Sequence, residues 1–208
     1  MFEKFKIPLI SLTLLFAAIL AAFLLQQTEP EPFEFESNMG VPVMSPAIAL
    51  PAVTLIDQHK QAFPMSDLKG NWSLMFFGFT NCPDVCPTTL MAMKQVEKRL
   101  SQQNIRYVFV SLDPKRDSSE KLKDYMDFFN PEFIALNGDK SEIDKLSQAM
   151  GVIYDFDGDT SGDDYFVNHY AAILVIDPQV RLRAHILPPH SVDKVADAIT
   201  KLSNYYGN

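Results

Sequence analysis

Cysteine is nearly absent from this chain: Cys82 and Cys86 are the only two among 208 residues. Structural zinc usually takes four protein ligands, so a pair of thiols argues against it. Neither thiol lies near the apolar N-terminal segment, which excludes lipid attachment of the lipoprotein kind. Positive charge is also scarce. Against 26 Asp and Glu there are 18 Lys and Arg, leaving a net charge of −8. That balance argues against nucleic acid as a partner and against docking on anionic lipid. No internal repeat and no low-complexity tract is present.

Basic residues are missing altogether between Lys6 and Lys60, and this gap orients the N-terminus. Residues 7–25 carry no charge and are long enough, as a helix, to cross roughly 30 Å of hydrocarbon. Lys4 and Lys6 precede them, while Glu29, Glu31, Glu34 and Glu36 follow. Lysines stay on the cytoplasmic side, so residues 1–6 are expected there and everything after Leu25 outside. A cleaved signal peptide is the rival reading, because residues 17–22 are rich in alanine. The apolar stretch exceeds the usual core of a signal peptide, which favours a retained transmembrane anchor. The chain is therefore expected in the inner membrane as a single-pass protein, its soluble part in the periplasm or an equivalent space where disulfides persist. Residues 26–45, with four Glu and several Pro, read as an extended tether. Residues 46–208 are enough for one globular domain with a full core.

Within that domain strand and helix signals alternate. Residues 53–56 and 61–64 flank a turn and suggest a hairpin. Residues 73–79 form a near-continuous apolar strand of the kind buried on both faces. Pro87 suits the first position of a helix, where its missing N–H costs nothing, and an amphipathic pattern runs on to Leu100. Residues 105–112 read as a second buried strand, 118–129 as a helix, 133–136 as a short strand and 141–150 as a helix. Strands follow at 165–167, 172–176 and 180–186, then a helix capped by Ser191 and running to Tyr205. This order fits an α/β fold with a mixed sheet flanked by helices.

Cys82 and Cys86 sit in the turn after the first buried strand and before its helix. Across one helical turn their Cα atoms would be about 6 Å apart, close enough for a disulfide. The same spacing lets both sulfurs face one metal ion. A helix N-terminus beside them lowers thiol pKa and favours metal binding or reactivity. Electrons, metal, or both remain open at this point.

A closer match is carried by four features: Gly78-Phe79-Thr80-Asn81-Cys82-Pro83-Asp84-Val85-Cys86-Pro87, Val110-Ser111-Leu112-Asp113-Pro114-Lys115-Arg116-Asp117, Asp164-Tyr165-Phe166-Val167-Asn168-His169, and the apolar segment ahead of the domain. In these the chain resembles the SCO/SenC family of copper-binding cytochrome c oxidase assembly proteins. The resemblance implies a thioredoxin-like fold and a copper site made by Cys82, Cys86 and His169. It departs from the family pattern at Asn168, where Asp is common, and at Tyr170, where a small hydroxylated residue is common. Thiolates are soft donors suited to Cu(I), and imidazole is accepted by both Cu(I) and Cu(II), so such a set could hold either state.

Two functions follow from the resemblance. The first is a copper chaperone, more a metallochaperone than an enzyme, that receives copper from a donor protein and delivers it to a copper site on an oxidase subunit. The alternative is a membrane-anchored thiol–disulfide oxidoreductase acting on the oxidase's cysteines or other exported proteins. Dedicated thioredoxins carry Cys-x₂-Cys, and a thiol reductase has no evident need of His169, so copper is favoured. Loading would need reduced thiols, which implies a thioredoxin-like reductant as a further partner.

Other polar residues have plainer readings. His59 lies in a turn and is expected to be solvated, His185 to be a surface or edge residue of a strand, and His190 to be structural. Met91 and Met93 on the first helix, like Met39 and Met44 in the tether, read as packing residues rather than ligands. Asp84, between the cysteines, reads as a turn former or a modest brake on thiol acidity. Asp113, Arg116 and Asp117 read as a helix cap and a surface ion pair, with the resemblance hinting at a partner-facing loop. Asp155, Asp157, Asp159, Asp163 and Asp164 lack the closing Glu of a calcium loop and read as a flexible acidic segment.

Overall fold

A computed structural model describes residues 40–207. The expected anchor at residues 7–25 and most of the expected tether lie outside the described residues. Among the described residues no helix is long and apolar enough to cross a membrane.

The described residues form ten strands and four longer helices. Strand β1 (Val43–Ala49) leads into the hairpin β2 (Thr54–Asp57) and β3 (Ala62–Pro64), then a 3₁₀ turn and β4 (Trp72–Gly78). Helix α1 (Val85–Arg99), β5 (Ile105–Ser111), α2 (Ser119–Phe129), β6 (Ile134–Asn137) and α3 (Lys140–Ala149) follow. The chain closes with β7 (Tyr154–Gly158), β8 (Tyr165–His169), β9 (Ile173–Ile176), β10 (Arg181–Ile186) and α4 (Val192–Tyr206).

Eight strands form one sheet in the order β1-β10-β9-β4-β5-β6-β2-β3. Strands β4, β5 and β6 run parallel, with β4 to β5 in continuous register from Trp72–Ile105 to Gly78–Ser111. The flanking strands pair antiparallel, which makes the sheet mixed. Central strands read as unbroken apolar runs because both faces are covered. Leu74, Met75, Phe76 and Phe77 of β4 are wholly buried, each contributing about 1.5–3 kcal/mol by leaving water. Helices α1 and α4 pack against each other. Ser118 and Ser191 cap α2 and α4 by accepting from Lys121 N–H and Lys194 N–H, each at 3.2 Å.

Three expectations are corrected. The tether was expected to run to residue 45, but β1 starts at Val43 and pairs with β10, and the carbonyls of Gly40 and Pro42 already accept from Leu187 and His185. Val43 and Ile48 had no periodicity to announce them; β10 supplies their pairing from the far end of the chain. The acidic segment is ordered at its start: Asp155 and Asp157 lie on β7, which pairs antiparallel with β8 as a separate two-stranded sheet. Alternation hid this strand, since Tyr154 and Phe156 point inward between outward carboxylates. Helix α1 begins at Val85, two residues before Pro87, so Cys86 is helical and Asp84 is its N-cap residue.

Candidate metal centre

Strand β4 ends at Gly78, and the chain turns through Phe79 to Asp84 before α1 begins. Neither thiol is in a disulfide and both are buried, Cys82 retaining 9% of its surface and Cys86 none. The Cys86 sulfur lies in a notch that only glycine leaves open. A β-carbon on Gly78 would stand 2.8 Å from Cys86 Sγ and 2.9 Å from the Phe109 ring. Cys82 takes the place of a helix cap: its sulfur accepts from Cys86 N–H at 3.4 Å, where the unsatisfied amides of the first turn favour negative charge.

His169 arrives from the far part of the sequence. On β8, Tyr165 and Val167 are buried while Phe166 and Asn168 face solvent; this period of two turns His169 inward. Its Nε2 lies 3.6 Å from Cys86 Sγ. The ring meets Phe76 and Phe79 edge-on, with centroids 6.0 and 6.1 Å apart. Nδ1 lies 3.4 Å from the backbone carbonyl of Tyr170, the acceptor on that side of the ring, and Nε2 is the nitrogen that faces the thiols. That acceptor is backbone, so the departure at Tyr170 from the family pattern leaves it in place.

One donor atom from each of Cys82, Cys86 and His169 lies within 4.8 Å of the others. The two sulfurs divide one proton between them. The Cys82 thiol is brought down to about 4, first by the hydrogen bond from Cys86, against burial, with His169 and backbone amides adding to it. Cys86 is pushed up by the same bond and by burial, so it keeps its proton. A thiolate, a thiol one deprotonation from a second thiolate, and an imidazole form a three-donor set that fits copper. A cavity of about 400 Å³ opens over Cys82 and His169, with Asp84, Asp157 and Phe166 on its wall. Phe166 is 60% exposed.

The remaining histidines stay outside this cluster. His59 is exposed, as expected. His190 uses both nitrogens, Nε2 toward the Ile186 carbonyl and Nδ1 toward the Thr89 hydroxyl, each at 3.0 Å; it is structural. His185 is a correction: it is buried at 7% exposure, with Nδ1 3.3 Å from the Tyr170 hydroxyl. The strand pattern suggested an edge position, but β10 lies between β1 and β9. Met93 is buried in α1, and Met91 is 38% exposed. Met44 lies on β1, and Met39 is outside the described residues.

The loop after β5 holds residues that sequence reasoning placed on the surface. Arg116 and Asp113 form an ion pair in which the side chains are only 7% and 1% exposed. Asp117 is fully buried and accepts from Thr80 N–H at 3.0 Å, Thr80 Oγ1 at 2.5 Å and Ser111 Oγ at 2.7 Å. It thereby fixes the start of the turn that carries the thiols. Nothing in a run of charged residues beside a proline signals burial; the family-like motif from Val110 to Asp117 was the available hint.

Comparison with known proteins agrees with this geometry. The family model for SCO1/SenC matches residues 46–204. A Stutzerimonas stutzeri protein named for copper binding is 37% identical over 148 residues, which are 70% of this chain and 72% of that one. Bradyrhizobium japonicum ScoI with copper bound is similar at 30% identity and a TM-score of 0.67, covering 74% of this chain and 98% of that one. Arabidopsis thaliana ScoI with copper bound gives 28% identity and a TM-score of 0.70, covering 76% and 99%.

Proposed function

The chain belongs to the SCO1/SenC family, and on that premise we propose that it is a copper chaperone. It holds one copper ion through Cys82, Cys86 and His169 and delivers it to a copper site on a cytochrome c oxidase subunit. The observation that carries this reading is the meeting of two cysteines on β4–α1 with a histidine on β8. The copper-bound relatives add weight to the choice of metal. Copper is cargo here, and the chain's own groups do the handling. The Cys82 thiolate offers the first donor without losing a proton, Cys86 must release one, and His169 turns Nε2 toward the thiols. In this proposal residues 7–25 anchor the chain in the inner membrane, and the domain works on the periplasmic side.

The test is copper titration of the full chain in detergent, with Cu(I) and Cu(II), against single alanine replacements of the three ligands. One tightly bound copper per chain, lost in Cys82→Ala and Cys86→Ala, is the expected result. Unchanged stoichiometry in both cysteine variants overturns the assignment.

Thiol–disulfide exchange is the second reading, and one observation favours it. Cys82 carries the depressed pKa and the residual exposure, while Cys86 is protonated and enclosed. That is the division expected of an attacking and a resolving thiol. Restoration of oxidase assembly by His169→Ala, in cells lacking the protein, separates the two. Full rescue overturns delivery and supports thiol exchange.

A further inference from the structure

The three donors come from two separately built pieces. Cys82 and Cys86 belong to the eight-stranded body through β4 and α1, whereas His169 belongs to the β7–β8 ribbon, which shares no ladder with that body. The distance between thiols and imidazole is therefore set by the short chain link from His169 to Ile173 of β9 and by the side chains that join ribbon to body.

At the open end of the ribbon, the Tyr154 hydroxyl donates to Asp144 of α3. At the turn end, the joining residues all come from loop 113–117. Lys115 Nζ donates to the carbonyls of Thr160 (2.8 Å), Ser161 (3.1 Å) and Gly162 (2.7 Å). Arg116 Nη1 donates to the carbonyls of Asp163 and Tyr165, both at 2.9 Å. Its guanidinium lies 3.5 Å from the Tyr165 ring centroid, and the Tyr165 hydroxyl donates to Asp113 Oδ1 at 2.6 Å. Arg116 Nε donates to the other oxygen of the same carboxylate. Nη2 of Arg116 is buried with no hydrogen-bond acceptor; the Tyr165 face meets its charge instead. Phe79, 6.0 Å from that guanidinium, packs edge-on against His169.

The same loop grips the other piece, since Asp117, next in sequence, holds Thr80 of the thiol turn. Tyr154, the ladder partner of His169, ties that end of the ribbon to α3 and not to the thiol turn. A planar guanidinium with five donors can serve a carboxylate, two carbonyls and an aromatic face at once, which a lysine ammonium cannot.

We infer that Arg116, oriented by Asp113, is a positioning residue for His169, and that loop 113–117 is the spacer between the thiol turn and the imidazole ribbon. The inference rests on the copper reading for its consequence: the spacer sets how well the site takes Cu(II), the state that depends on the imidazole. Two thiolates hold Cu(I) with the imidazole displaced.

The test uses the full chain in detergent and the variants Arg116→Gln and Arg116→Lys, with two readouts. In the reduced, metal-free protein, nuclear Overhauser contacts between the His169 ring and Cys86 should be present in the wild type. Both variants should lose them while keeping the contact of Cys86 with Gly78. With metal, Cu(II) affinity should fall about 10–100-fold, the range seen when a residue orienting a ligand is removed. Cu(I) affinity should stay unchanged, and lysine should not rescue Cu(II). Wild-type His169–Cys86 contacts in the variants overturn the inference, as does equal weakening of both oxidation states. Should Arg116→Gln fail to fold, Arg116→Lys, which keeps the charge opposite Asp113, gives both readouts. A wild type that binds no copper but shows the expected contacts, lost in the variants, sinks the chaperone reading and leaves the spacer standing.

Discussion

Cys86 Sγ lies 3.6 Å from Nε2 of His169, although 83 positions separate the two residues. Cys86 is on a helix that continues the central strand, and His169 ends a ribbon outside the main sheet. Their meeting turns a pair of thiols, which could equally serve redox chemistry, into a three-donor set.

Replacing His169 by Ala should therefore separate the two oxidation states of copper. Cu(II) affinity should drop by more than about 100-fold, beyond the range for residues that merely orient a ligand. Cu(I) should lose far less, because two thiolates suffice for the softer ion. Competition titrations with a chelator for each state measure this. Equal, tight binding of both by the variant would remove His169 from the site.

Alkylation should be selective and nearly independent of pH above the acid range. Cys82 is held at about 4, so its thiolate fraction is complete at neutral pH and declines only as pH falls through that value. Cys86 is shifted the other way and should react only after unfolding. Because one sulfur is already ionised, copper binding near pH 7 should release about one proton per chain. Release of two, measured by calorimetry in buffers of different ionisation enthalpy, would contradict this division.

Gly78→Ala should damage the site from behind. The added carbon would meet Cys86 Sγ at 2.8 Å and Phe109 at 2.9 Å, and overpacking of this kind costs about 1–3 kcal/mol. Urea denaturation of the metal-free protein should show that loss, and copper affinity should fall with it as Cys86 is displaced. Wild-type stability and affinity would mean the notch has room to spare.

Oxidation should close the site to metal. A disulfide between Cys82 and Cys86 leaves no thiolate and strands His169 as a lone imidazole, so copper uptake should need a reductant. Bound copper should in turn protect both thiols from alkylation and oxidation. One tightly held copper per fully oxidised chain, with thiols counted by mass, would place the site elsewhere.

Protease treatment of spheroplasts should digest the domain while the remnant stays with the membrane, given the charge asymmetry around residues 7–25. Release of an intact domain lacking its first 25 residues would replace the anchor with a signal peptide.

Much of the core was legible because its signals are local. Apolar runs marked β4 and β5, and serines announced α2 and α4 within a residue. Elements without local signals went unread. β1 is defined by its partner β10, and β7 looked like an acidic loop because alternate residues face solvent. Arg116 and Asp113 read as surface charge, since only a folded neighbour such as Tyr165 shows that they are enclosed.

By itself, the sequence determined the soft donor pair, its place at a strand–helix turn and, through family resemblance, the choice of His169. All of these rest on residue type and short spacing, which the chain carries locally. Only the tertiary structure decided that imidazole and thiols meet, which sulfur keeps the proton, and that a buried arginine joins the ribbon to the body. These depend on distance, burial and hydrogen bonding between segments far apart in the chain, properties that exist only after the sheet has assembled.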